Sequence, residues 1–152
     1  MPDFLPLLRA RYPKLARDLL SPLFEVLRVA RATCGDDLDK FLIILAVAMR
    51  TVEHRDMASF DLEAVLSGEV DVYPSLSTNV RSVSDSTGIP KESVRRKVQA
   101  LIEEGWIRRD GGRLALDTRA SQALTPVREQ ILQMAVRHHQ AVIASAEETR
   151  GR

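Results

Sequence analysis

The chain has 152 residues, of which 45% are hydrophobic, 28% charged and 5% aromatic, a composition typical of globular proteins. This length predicts one domain over residues 1–152, and the single cysteine, Cys34, excludes an intramolecular disulfide. The longest apolar run, Phe41 to Met49, is shorter than the ~20 residues that span a bilayer. No secretory signal is recognisable at the start of the chain, so we expect a cytoplasmic protein without a membrane segment.

Charge is distributed unevenly along the chain. Residues 1–77 carry 9 basic and 12 acidic side chains, residues 78–113 carry 8 and 5, and residues 114–152 carry 5 and 4. The net charge of +1 therefore conceals a middle segment of +3. An anionic partner would be attracted to this middle segment.

The first part of the chain has the apolar periodicity of helices. Lys14 to Arg31 repeats apolar residues every three or four positions, which predicts a helix. Ser21-Pro22 falls inside it, and a proline lacks the N–H that a helix interior needs, so we expect a kink or restart there. Cys34-Gly35 predicts the end of the helix.

A second helix is predicted from a cap at Asp36 or Asp37 to about Arg55. Its centre, Phe41 to Met49, is apolar on nearly every face. Such a helix is expected to be buried all round, at the centre of the fold. A short helix, Leu62 to Ser67, follows, and residues 68–77 are predicted to be a loop or an extended link.

The next segment predicts two helices separated by a short turn. Thr78 is a possible cap for a helix from Asn79 to Thr87, and Gly88 ends it. Pro90 favours the first position of a second helix that extends to Glu104. The core side of this second helix is predicted to consist of Val94, Val98, Leu101 and Ile102.

Two short β-like runs follow, around the turn residues Asp110-Gly111-Gly112. The first is Trp106 to Arg109 and the second is Arg113 to Leu116, which predicts a hairpin. Thr125-Pro126 then opens a long helix that extends to about Glu148. The expected fold class is therefore mainly α with a small β-hairpin, divided into residues 1–77, 78–116 and 117–152.

The order helix, glycine turn, helix, hairpin resembles the winged helix-turn-helix family of bacterial transcription factors. The resemblance rests on the spacing of Val83, Gly88, Ile89, Val94 and Val98 and covers residues 78–116. Two positions depart from the family pattern, since Ser84 replaces the usual alanine and Thr87 an apolar residue. The resemblance implies a recognition helix that lies in the DNA major groove and a wing that contacts the minor groove or phosphates.

The residues on the outer face of the second helix fit this interpretation. Arginine can bind guanine and glutamine can bind adenine through paired hydrogen bonds, so Arg95, Arg96 and Gln99 are predicted to reach base edges. Other cations and hydroxyls would hold the phosphate backbone. The predicted backbone contacts are Arg81, Lys91, Ser93, Arg109 and Arg113.

Other interpretations of these residues stay open. Arg95, Arg96 and Lys97 could simply form a solvated face, and a winged helix can also serve as a protein-interaction adaptor that does not bind DNA. Glu92 argues against DNA contact, because phosphates repel a carboxylate unless it accepts a hydrogen bond from cytosine. No nucleophile or phosphate-loop motif is present, so we expect no enzymatic activity, and the three histidines lack metal-ligand spacing.

The terminal helices are candidates for dimerisation. Regulators of this kind bind two half-sites as dimers, and their overall layout here is similar to MarR-type dimers. We therefore expect a homodimer that pairs through the segment 1–34 and the helix 126–148. A small-molecule effector is possible, with a pocket expected between the N-terminal helices and the helix-turn-helix, and no cofactor is expected.

Overall fold

The computed structural model describes residues 4–67 and 73–150. Its elements, in chain order, are α1 (Leu5–Thr33), α2 (Leu38–Val52), a 3-10 helix (Arg55–Ser59), α3 (Leu62–Ser67), α4 (Val80–Thr87), α5 (Lys91–Glu103), β1 (Ile107–Asp110), β2 (Arg113–Leu116), α6 (Thr118–Ala123) and α7 (Thr125–Arg150). This is a mainly helical winged helix-turn-helix with additional N- and C-terminal helices, as predicted.

The described residues form two compact units. The terminal unit contains the residues up to Ala30 together with those from Pro126 onward, and the central unit is Arg31–Thr125. The predicted link at 68–77 lies partly outside the described residues, and residues 73–79 have no regular secondary structure. The prediction of a single domain with internal boundaries at 77 and 116 stays a prediction.

The terminal unit is an antiparallel pair of helices. Arg11 Nη1 on α1 donates to the backbone oxygen of Ser145 on α7 at 3.0 Å, and to Glu148 Oε2 at 2.7 Å. Further along α1, the backbone oxygen of Leu19 lies 3.0 Å from His138 Nε2. Because a carbonyl oxygen accepts only, His138 carries its proton on Nε2 in this contact. Residue numbers rise along α1 as those of the partners fall along α7, so the two helices are antiparallel.

The restart predicted for α1 at Ser21-Pro22 does not occur. The helix begins at Leu5 and continues through both Pro13 and Pro22 to Thr33. A proline inside a helix costs about 3 kcal/mol, because it removes a hydrogen bond and crowds the preceding turn. Pro22 is itself buried, and tertiary burial is the main source of helix stability in proteins. Packing therefore offsets a local penalty that sequence periodicity cannot weigh.

The helix α2 is central in its unit but is not buried on every side. Asp37 caps it by accepting a hydrogen bond from the Lys40 N–H at 3.1 Å, and the helix ends at Val52, before the predicted end at Arg55. It contacts α4, α5 and β2, and its buried residues are apolar except for Thr51. Its outer side carries large apolar residues that are 37–59% exposed: Leu38, Leu42, Leu45, Met49 and Val52.

The wing is a two-stranded antiparallel hairpin in which Ile107 pairs with Leu116 and Asp110 with Arg113. Gly111 and Gly112 form the turn with φ values of 51° and 83°, the left-handed conformation that tight hairpin turns require and glycine adopts most easily. The alternation of the strands buries Ile107 and Leu114. Asp110 belongs to β1 rather than to the turn, and α6 after the hairpin was not predicted.

The remaining boundaries agree closely with the sequence predictions. Asn79 rather than Thr78 caps α4, since its Oδ1 accepts from the Ser82 N–H at 3.0 Å. Pro90 occupies the position before α5, and α3 is capped by Asp61. The part of the chain that the structure describes contains no helix long and apolar enough to cross a membrane.

Candidate nucleic-acid interface

The turn between α4 and α5 sets the angle at which α5 is presented. Gly88 ends α4 with φ 74°, and its N–H donates to the Ser84 carbonyl oxygen at 2.9 Å. Ile89, the next residue, is 7% exposed and therefore anchors the turn in the core. Because a left-handed backbone favours glycine and the following side chain is buried, the direction of α5 is fixed at both points.

Two hydroxyls, at the positions that depart from the winged-helix pattern, bind this turn. Ser84 Oγ donates to the Ile89 carbonyl oxygen at 2.7 Å. Thr87 Oγ1 donates to the Val83 carbonyl oxygen at 2.7 Å and accepts from the Ile89 N–H at 3.3 Å. The polar residues thus satisfy backbone groups of the turn that an alanine or an apolar side chain would leave to water.

The outer face of α5 and the wing together border an open groove. Val94, Val98 and Leu101 are no more than 1% exposed, so the opposite side of α5 is left to solvent. The groove has a volume of about 870 Å³. Six of the eight predicted contact residues line it: Lys91, Ser93, Arg95, Arg96, Gln99 and Arg109. The structure therefore brings α5 and β1 side chains to one surface.

The other two predicted residues lie outside this groove. Arg81 is exposed on α4, where its Nε is 3.9 Å from Asp85 Oδ2. Arg113 is exposed at the start of β2, across the hairpin from Asp110.

Two carboxylates, Glu92 and Glu103, lie in the groove and form hydrogen bonds with predicted contact residues. Arg95 Nε donates to Glu92 Oε1 at 2.8 Å, and Arg95 Nη2 donates to the same oxygen. This hydrogen bond, with the attraction of the guanidinium, lowers the pKa of Glu92. Gln99 Nε2 donates to Glu103 Oε1 at 3.2 Å. The members of the two pairs are three and four residues apart, the spacing of neighbours on a helix, so the sequence alone could have predicted the pairs. It could not have predicted that Glu103 lines the groove.

Four of the predicted cations are exposed and form no ion pair with any residue that the structure describes. They are Lys91, Arg96, Arg109 and Arg113. In contrast, Lys97 turns inward and binds Asp37, with Asp39 Oδ2 at 3.8 Å. Lys97 therefore joins α5 to the start of α2. The positive charge on the exposed face of α5 comes from Lys91, Arg95 and Arg96. Lys97 is three residues after the buried Val94 and four before the buried Leu101, so it lies on the core side of α5.

The Asp37–Lys97 pair also perturbs a titration. Burial on its own raises the pKa of Asp37, but hydrogen bonds from the Lys97 ammonium and the Lys40 N–H, with the attraction of Lys97, lower it below its ordinary value. Next to it, Lys40 Nζ donates to Glu104 Oε1 at 2.5 Å. These ion pairs hold the middle and the C-terminal end of α5 against α2.

Cys34 and His54 lie outside the groove. Burial raises the pKa of the Cys34 thiol to about 11, so this side chain is a neutral thiol at pH 7. His54 caps the 3-10 helix by accepting from the Asp56 N–H at 3.3 Å. Residues 4–67 and 73–150 contain no group of three or more histidine, cysteine or carboxylate side chains that could hold a metal ion.

Comparison with known families gives one match. The family model of the IclR helix-turn-helix domain matches residues 77–111, which extend from just before α4 to the turn of the wing. Neither the curated proteins nor the solved structures give a significant match to this chain. The match supports a winged-helix domain of bacterial transcriptional regulators, and it does not favour the MarR type. The helix-turn-helix is thus of the class that binds DNA in transcription regulation.

Proposed function

We propose that this protein binds double-stranded DNA sequence-specifically as a transcriptional regulator of the bacterial cytoplasm, with α5 in the major groove and the β1–β2 wing on the minor groove or phosphates. The observation that carries the proposal is the groove between α5 and the wing, where six predicted contact residues meet. A rigid helix that exposes unpaired cations beside a basic hairpin is suited to a polyanion of regular shape.

Arg95 and Arg96 take different parts in this proposal. Arg96 forms no ion pair with the described residues and is free to bind guanine through two hydrogen bonds. Arg95 donates from Nε and Nη2 to Glu92, which leaves both Nη1 hydrogens for a base edge. A guanidinium held in this way loses less side-chain entropy when it binds. Glu92 therefore orients Arg95 rather than removing it from the interface.

The other contact residues fit a division between bases and phosphates. The side-chain amide of Gln99 would give up its hydrogen bond to Glu103 and bind the edge of an adenine base instead. The exchange is possible because the amide carries both a donor and an acceptor group. Phosphates would be held by Arg81, Lys91, Ser93, Arg109 and Arg113. The spread of these five residues over α4, α5 and both strands suits a duplex backbone on each side of the major groove.

The experiment is a titration of a random-sequence DNA duplex by fluorescence anisotropy at several salt concentrations. The wild type should bind at low salt, and log K should fall linearly with log salt concentration. The double variant Lys91→Ala/Arg109→Ala, which removes two proposed phosphate contacts, should lose roughly 10- to 100-fold in affinity and flatten the salt slope by about 2. A matched control, Arg9→Ala/Arg28→Ala, removes the same charge from α1 and should behave as the wild type. Absence of wild-type binding at low salt would refute the proposal and favour a protein-interaction adaptor.

We also propose that the protein acts as a homodimer that pairs through its terminal helices. An antiparallel pair of helices cannot enclose a core by itself, and Phe24 on α1 and Val136 on α7 are 63% and 57% exposed. Two such pairs would bury these residues in a four-helix bundle. Sedimentation equilibrium should show weaker self-association for Phe24→Glu or Val136→Glu but not for the control Lys14→Glu, and a monomeric wild type would refute this contact.

A further inference from the structure

A second apolar surface lies on the outer side of α2, in the central unit. It consists of Leu38, Leu42, Leu45, Met49 and Val52, here called the α2 stripe, which are 37%, 41%, 40%, 46% and 59% exposed. Successive members are four, three, four and three residues apart, the spacing of one side of a coiled coil. The opposite side of α2 packs on α4, α5 and β2, so the stripe has no function in the core of its own unit.

The α2 stripe forms the floor of an open groove. The groove has a volume of about 670 Å³, and Leu42, Leu45 and Met49 contribute its apolar floor. Hydroxyl-bearing residues of α4 line its other side, including Ser82 and Ser86. A straight apolar strip with one raised wall is shaped to receive a second helix that lies along α2.

We propose that the α2 stripe of one copy of this chain docks antiparallel against the α2 stripe of a second copy, around a twofold axis next to Leu45. The spacing supports this occupant, because Leu45 is seven residues from both Leu38 and Val52. A twofold axis at Leu45 places Leu38 opposite Val52, and it brings Leu42 within one residue of direct opposition to Met49. The stripe is therefore complementary to itself, as an interface between identical copies must be.

Charge complementarity favours the antiparallel direction. Asp39 and Arg50 are eleven residues apart on α2, which places them on the same side of the helix, next to the stripe. Antiparallel docking brings Asp39 of each copy to Arg50 of the other, whereas parallel docking would stack like charges. Arg50 Nη1 already donates to Glu53 Oε2 at 2.7 Å, so in the dimer it would lie between two carboxylates. Antiparallel helix dipoles also attract each other.

The exposed area is sufficient for a contact of modest strength. Five large apolar side chains at these exposures present on the order of 400 Å² per copy, the size of an apolar patch that marks an interaction site. A symmetric contact buries on the order of 800 Å² in total, which is below the roughly 1,200 Å² of stable interfaces, so the proposed contact is a weak one. Since α2 also contacts α4 and α5, pairing through the stripe would set the distance between two helix-turn-helix motifs.

The experiment is cysteine cross-linking of the full chain with a short bifunctional maleimide, in the absence of DNA. Leu45→Cys should give a covalent dimer, because the twofold axis brings the two copies of position 45 together. Leu38→Cys alone and Val52→Cys alone should not, since antiparallel docking separates the identical positions by about 20 Å along the axis. An equimolar mixture of the two should cross-link. Wild type is the background control, because Cys34 is buried.

The pattern of cross-links separates the outcomes. Cross-linking of Leu45→Cys and of the mixture, but of neither end variant alone, supports the proposal. Cross-linking of all three single variants would mean parallel docking, and cross-linking of none would mean a different occupant, so either result overturns it. Because no DNA is present, these results do not depend on whether the proposed DNA binding is correct.

A charge substitution provides the second measurement. Leu45→Glu should weaken cross-linking through a Leu38→Cys/Val52→Cys mixture by at least about tenfold, since the twofold axis would bring two carboxylates together in an apolar contact. Leu45 is already 40% exposed, so the variant should fold, which its circular dichroism spectrum checks. A folded Leu45→Glu variant whose mixture cross-links as efficiently as the mixture that retains Leu45 overturns the proposal.

Discussion

The helix-turn-helix with its wing and the antiparallel pair α1–α7 treat their apolar residues in opposite ways. In the first region Val83, Val94 and Leu101 are no more than 1% exposed, whereas in the second Phe24 and Leu132 are at least 50% exposed. The first region leaves unpaired cations outside, and the second pairs Arg11 and Arg28 with glutamates.

The first region therefore has a buried apolar core, whereas the two-helix unit leaves part of its apolar surface uncovered. A region whose apolar side chains are buried and whose exposed side chains are charged is complete as a scaffold and offers a polar surface for recognition. A two-helix unit with large exposed apolar residues lacks the second layer that burial needs. The comparison indicates that the two regions serve different partners, which we propose to be DNA and a second copy of the chain.

The largest expected effect is the contrast between two leucine truncations. Leu101→Ala in α5 should cost about 3–4 kcal/mol of unfolding free energy, because it leaves a cavity in a closed core. Leu132→Ala in α7 should cost less than about 1 kcal/mol at low protein concentration, since half of this side chain is already exposed. Urea unfolding followed by circular dichroism measures both, and equal losses would mean that the terminal unit is not open.

The second effect tests how α5 is held against α2. Asp37→Asn retains a side chain that caps α2 but removes the ion pair with Lys97, so it should cost about 1–2 kcal/mol at pH 7. The folded-state pKa of Asp37 is lowered, so its contribution is complete above the unfolded pKa and is lost as pH falls through the folded pKa. The difference between variant and wild type should therefore vanish in acid.

Unfolding free energies measured at several pH values give this profile. The matched control is Asp36→Asn, at an exposed carboxylate that pairs with Arg31, which should change stability by less than about 0.5 kcal/mol. A loss for Asp37→Asn that persists at pH values below the folded-state pKa of Asp37 would contradict the pairing with Lys97.

The smallest effect concerns the carboxylate in the basic groove. Glu92→Gln removes a negative charge from the proposed interface, so affinity for random-sequence duplex should rise roughly two- to threefold. The lowered pKa of Glu92 keeps its carboxylate ionised at neutral pH, so the charge is present to be removed. Glu25→Gln is the control, because Glu25 forms the same three-residue pair with Arg28 on α1. If both variants bind alike in anisotropy titrations, Glu92 lies outside the interface.

Much of the central unit could be predicted from local sequence. Asn79, Gly88 and Pro90 mark the limits of α4 and α5 through their own backbone preferences, and Gly111-Gly112 marks the hairpin turn. The candidate site could be predicted for a similar reason, because the spacing of the valines and leucines in α5 shows which side of the helix faces solvent. The direction of Lys97 and the presence of Glu103 in the groove depend on neighbouring elements.

The helix-turn-helix, the wing and the identity of the cations on α5 follow from the amino-acid sequence, because caps, glycine turns and apolar periodicity act over a few residues. Three features depend on how distant elements pack: α1 continues through Pro22, one side of α2 is left exposed, and Arg109 meets the α5 cations in one groove. These outcomes depend on which surfaces pack against each other, and packing energy summed over distant residues outweighs the local preferences that a sequence displays.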